Sequence, residues 1–133
     1  MKRDTYLKLH EMICHDARGL SARKGHDYSG DTDTLANLKR TEALEITSAP
    51  KGVLVRLGDK LSRAIELLDK EAQVEDEKLL DTIEDGINYW ILLAALLQEQ
   101  GRVDVPPEWL EKWDCDGRLQ AGLKSEDQGD GTT

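Results

Sequence analysis

Cysteine is scarce in this chain of 133 residues: Cys14 and Cys115 are the only two, far apart and in no CxxC or paired-ligand spacing. A disulfide scaffold and a cysteine-ligated zinc site are therefore not expected. Long apolar runs are lacking too, the longest being Tyr89 to Leu97 at nine residues, about half of what a helix needs to span a bilayer. No apolar stretch near Met1 resembles a signal peptide, so a reducing cytoplasm is the expected setting. Positive charge is in deficit, with 18 Lys and Arg against 27 Asp and Glu and a net charge of −9. Proteins that bind duplex DNA or RNA without sequence preference need the opposite balance, because neutralised phosphates supply their affinity. Strand-like alternation and internal repeats are likewise missing.

What remains is helical periodicity. Tyr6, Leu9, Ile13, Ala17 and Leu20 recur at helical steps, which predicts a first helix over about 4–23 ended by Gly25. A turn-rich stretch over 25–33 follows, and Asp33 is placed to cap a short helix carrying Leu35, Leu38 and Leu44. Thr47-Ser48-Ala49-Pro50 marks the start of the next helix, running to about Lys70. Its apolar positions Leu57, Leu61, Ala64, Ile65 and Leu68 are assigned to the core. Leu80, Ile83, Ile87, Trp90, Ile91, Ala94 and Leu97 define the third long helix, ending at Gly101. Pro106-Pro107 breaks the chain before a short helix expected to dock Trp109 and Trp113 on the bundle. The reading is an all-α bundle of about four helices over 1–116, with a flexible acidic tail over 117–133.

Two charged faces carry the chemistry. Asp81, Asp85 and Asn88 fall at i, i+4 and i+7 with Glu77 one turn earlier, so their oxygens are spaced to converge on a hard cation such as Mg²⁺. Asp59, on the preceding helix, is a further ligand from across the hairpin, and Arg56, Lys60 and Arg63 are placed to hold phosphate oxygens. A plainer reading has Arg56, Lys60 and Arg63 pairing with Glu77, Asp81 and Glu84 across an antiparallel hairpin, each exposed pair contributing about 0–1 kcal/mol. Tyr28 is a candidate for stacking on a base whose edge Asp27 would bond, against the commoner role of a turn tyrosine that packs on the core. His10, Glu11 and His15 miss the zincin spacing, so no zinc site is expected.

The segment Gly52-Val-Leu-Val-Arg56-Leu-Gly-Asp59-Lys60-Leu-Ser-Arg63, followed by Glu77, Asp81, Asp85 and Asn88-Tyr89, resembles the MazG-like all-α nucleoside triphosphate pyrophosphatase group. It is more similar still to that group's phage-associated branch, the nucleotide modification associated domain 1, to whose Asp-Tyr-Gly element Lys24-Gly25-His26-Asp27-Tyr28 is also similar, with Ser29 intervening before Gly30. The resemblance covers roughly residues 20–98. It implies a helical fold in which Asp59, Glu77, Asp81 and Asp85 hold Mg²⁺, with Asp59, Asp81 and Asp85 serving catalysis. Lys24, Asp27, Tyr28, Arg56, Lys60, Arg63 and Asn88 would then bind the nucleotide, water attacking between its α- and β-phosphates. It also implies a homodimer or homotetramer in a host cytoplasm. The sequence departs from the pattern on the first helix, where Asp59 stands with Lys60 and Arg63 instead of a Glu-x-x-Glu pair. Fewer carboxylates favour, as an alternative, a module that binds nucleotide without cutting it and serves as a sponge or base-modification accessory, and the net charge of −9 admits a third reading, an acidic protein that inhibits a host factor.

Overall fold

The structure, a computed structural model, describes residues 1–29, 33–70 and 76–111, and for 26–29 and 76–78 the backbone alone. Five helices follow one another: α1 (Arg3–Ser29), α2 (Ala36–Ala43), α3 (Ala49–Asp69), α4 (Asp76–Glu99) and α5 (Pro107–Glu111). No strand occurs among the described residues. None of their helices is long and apolar enough to cross a membrane.

Local chemistry sets most of the boundaries. Ser48 caps α3 by accepting from the Lys51 amide at 3.4 Å, with Pro50 in the first turn, where a missing N–H costs nothing. Gly101 takes a left-handed φ of 69° after α4, and the Arg102 amide turns back to the Leu97 carbonyl at 2.8 Å. Asp33 does not cap α2 as expected: the N-cap is Leu35, and Asp33 instead closes a tight turn by accepting from the Leu35 amide at 2.9 Å. Gly25 does not end α1, which continues to Ser29. A glycine inside a helix costs only about 1 kcal/mol, and contacts on the flanking turns can override it.

The centre is an antiparallel hairpin of α3 and α4, with α1 against α4, α2 against α3, and α1 and α2 touching one another. Both flanking helices therefore sit on one side of the hairpin. Gly52 lets α2 approach, since a Cβ there would stand 3.1 Å from Thr41 Oγ1. Glu42 accepts from the Ala49 amide at 3.0 Å and ties the two helices at their junction. Asn88 Nδ2 donates to the Ala17 carbonyl at 2.9 Å, fastening α1 to α4 where Ala17 is buried.

The core corrects the expected phasing. It consists of Ala49, Val53, Leu93 and Leu96, with Leu35, Leu38, Tyr89 and Leu97 against it. Leu61, Ile65 and Leu68 of α3, and Leu80, Ile83, Trp90 and Ile91 of α4, are exposed. Periodicity identified an apolar stripe on each helix but not which of two adjacent faces this chain buries, and Val53 and Leu93 belong to the other one. The short α5 also departs from expectation, because Trp109 is 58% exposed and does not dock on the bundle. Trp113 and the tail over 117–133 lie outside the described residues.

Candidate functional site

The packing of α3 on α4 brings Lys60 opposite Asp85, and α1 against α4 adds Lys24 from the other side. Lys60 Nζ donates to one Asp85 oxygen at 2.8 Å and Lys24 Nζ to the other at 2.9 Å. Partial burial alone would push the Asp85 carboxyl up, but the two ammonium groups outweigh it and hold Asp85 below the usual carboxylate range. One Asp85 oxygen thus faces each lysine. This is a cross-hairpin ion pair of the plainer kind, though with Asp85 in place of the carboxylates expected for it.

Two open clefts meet at this triad, and Lys24 and Asp85 line both. The larger, about 840 Å³, lies between α1, α2 and the hairpin. Lys24, Arg40 and Arg56 bring three cations to it and Asp85, paired with Lys24, one carboxylate, while Leu38, Tyr89 and Leu92 give it an apolar wall. Ser21, Asn37, Thr41 and Asn88 supply uncharged polar groups. The smaller cleft, about 570 Å³, takes Arg23 and Arg63 on its basic side and Asp16, Asp81 and Glu84 on its acidic side.

Glu84 is the unusual member of the smaller cleft. Only 7% of the residue is exposed, so desolvation pushes its carboxyl up, and the negative charges of Asp16, Asp81 and Asp85 push it further. The plainer reading of the spacing expects Glu84 in an exposed pair on a solvated face. It is buried because α1 lies over that part of α4, which periodicity within α4 cannot reveal.

The expected nucleotide ligands separate in space. Lys24, Arg56 and Asn88 share the larger cleft, Arg63 falls in the smaller, and Lys60 is engaged with Asp85. Of the expected metal ligands, Asp81 and Asp85 stand at the smaller cleft, whereas Asp59 is exposed on α3 outside both linings. The side chains of Glu77, Asp27 and Tyr28 lie outside the described residues. Among those described, no three Asp, Glu, His or Cys residues are grouped to hold a metal ion. A Mg²⁺ ion taking Asp85 would have to displace two lysines, so the described residues do not form a ready cage for it. Arg40, Asn37 and Ser21 were missed from sequence. Asn37, Arg40 and Thr41 do share a helical face at i, i+3 and i+4, but no motif marked it.

No family model, curated protein or solved structure matches this chain.

Proposed function

We propose that this chain binds a nucleoside polyphosphate in the larger cleft and holds it without needing turnover. The observation that carries this is the convergence of Lys24, Arg40 and Arg56 beside an apolar wall containing Tyr89, in a protein whose overall charge is −9. Dispersed surface lysines would not concentrate an anion against the field of nine surplus carboxylates; Lys24, Arg40 and Arg56 leave one concave site net positive even with Asp85, the partner of Lys24, counted in it. Arginine forks suit phosphate oxygens, Lys24 supplies a point charge, and the Leu38, Tyr89 and Leu92 wall offers a base the apolar surface that phosphate alone would not use. The resemblance of the Arg56 to Arg63 and Asp81 to Tyr89 segments to a nucleotide-processing group supports the same ligand class.

The test is a thermal-shift series on the full chain with nucleoside mono-, di- and triphosphates, with and without Mg²⁺, followed by an assay for released pyrophosphate. Melting temperature should rise with phosphate number, fall back with added salt, and respond less in Arg56→Ala and Arg40→Ala. Ligand recovered intact after denaturation supports binding alone, whereas Mg²⁺-dependent pyrophosphate release would assign a pyrophosphohydrolase. Absence of any shift at low salt overturns the nucleotide reading.

A further inference from the structure

The smaller cleft holds charges of both signs that the fold does not join. α1 contributes Asp16 and Arg23 to it, α3 contributes Arg63, and α4 contributes Asp81 and Glu84. Asp16 lies 3.6 Å from the His15 ring, and among the described residues Arg23, Arg63, Asp81 and Glu84 form no ion pair. Opposite charges that share a space of about 570 Å³ without pairing leave room for a molecule that carries both.

Glu84 shows which charge is short of a partner. Its neighbour Asp85 has a lysine on each oxygen, whereas the Glu84 carboxyl accepts no hydrogen bond among the described residues. Although the residue is buried, its carboxyl oxygens are not sealed from the cleft it lines. A carboxylate removed from water without a hydrogen bond is costly, and Asp16, Asp81 and Asp85 add repulsion instead of relief. Uncompensated groups of this kind concentrate at binding sites.

The group that relieves Glu84 must be a cation that donates hydrogen bonds. A hard metal ion asks for about six converging oxygens, and no three described Asp, Glu, His or Cys residues are grouped to give them. An ammonium asks for less, since its N–H donors can serve Glu84 and a second carboxylate while the remainder stay with water. A polyamine, cationic along its whole length, would be repelled by Arg23 and Arg63. A short molecule with an ammonium at one end and a carboxylate at the other satisfies both sets, because an arginine fork matches a carboxylate. We infer that the smaller cleft binds a zwitterionic amino acid, its ammonium on Glu84 and the neighbouring carboxylates and its own carboxylate on Arg23 and Arg63. The site uses none of Arg40, Arg56 or Tyr89, so the inference does not rest on the nucleotide reading of the larger cleft.

Isothermal titration of the full chain with glycine, β-alanine, γ-aminobutyrate and δ-aminovalerate tests it, and the chain length preferred reads the distance between the two charges. At least one of the four should bind about tenfold more tightly than butyrate or butylamine, which offer a single charge each. Arg63→Ala and Glu84→Gln should each weaken that binding about tenfold. Glu84→Gln separates a lost site from a lost fold, because the variant without ligand should be at least as stable as the wild type. No nucleotide enters the titration, so its outcome is separate from that of the larger cleft. Failure of all four to bind overturns the inference, as does butylamine binding equally well, which would leave a plain cation site. Binding that neither variant weakens overturns the choice of cleft. A rise in melting temperature with Mg²⁺ alone that Glu84→Gln abolishes would assign the carboxylates to a metal and overturn the amino-acid reading.

Discussion

Asp85 and Glu84 are adjacent in sequence yet respond oppositely to their surroundings. Asp85 has a lysine on each oxygen, so Asp85→Asn should destabilise the protein by about 1–3 kcal/mol, the range of a hydrogen bond to a charged group, with the half-exposed Lys24 contributing the smaller part. The direction is informative. A carboxylate kept for a metal among like charges would leave the apoprotein as stable, or more so, on becoming an amide, and urea denaturation of the variant distinguishes the two. Because its folded pKa is lowered, Asp85 contributes stability above its usual 3.8 that is lost as pH falls through the lowered value. Glu84 has the reverse sign: its folded pKa is raised, so the stability it allows below its usual 4.5 declines as pH climbs through the raised value. Glu84→Gln should therefore unfold at higher denaturant than the wild type at neutral pH and flatten the pH profile above 4.5. An unchanged profile would show that Glu84 is solvated.

At the scale of elements, α3 and α4 each carry two apolar stripes, of which only the one through Val53, Leu93 and Leu96 is buried among the described residues. Leu96 is 1% exposed in the core, and Leu96→Ala should cost about 2–5 kcal/mol wherever the protein is studied. Leu61, 64% exposed, should cost far less when cut to Ala. Urea denaturation of the two variants side by side checks this pair. A Leu61→Ala cost equal to that of Leu96→Ala would return Leu61 to the interior. The element ends were legible because their chemistry is local: Ser48 with Pro50, and Gly101, act within a few residues of their own positions. Gly25 misled for the same reason, since its weak local penalty was outweighed by packing of α1 that is set by residues far along the chain.

For the whole molecule, a net charge of −9 and a cationic cleft are compatible because the fold segregates them. α1 brings Lys24, α2 brings Arg40 and α3 brings Arg56, three residues spread over 33 positions of sequence. Asp85 joins this cleft to its acidic neighbour, so a phosphate chain drawn toward Lys24 would lie beside the carboxylates of the smaller cleft as well. Salt should therefore weaken binding by screening attraction at one end, and it should also relieve the mutual repulsion of Asp16, Asp81 and Glu84 at the other.

From the sequence alone follow the helical class, the α3–α4 hairpin, and a basic line on α3 facing an acidic line on α4. Each of these follows from spacing within a helix or from caps and breakers that act over one turn. Packing between helices set the rest: which apolar stripe is buried, that Glu84 lies under α1, that Lys60 and Lys24 close on Asp85, and that Arg40 joins Arg56. Those depend on how helices separated by tens of residues rotate against each other, a choice made by burying Ala17, Val53, Leu93 and Leu96 together, which no pattern internal to one helix encodes.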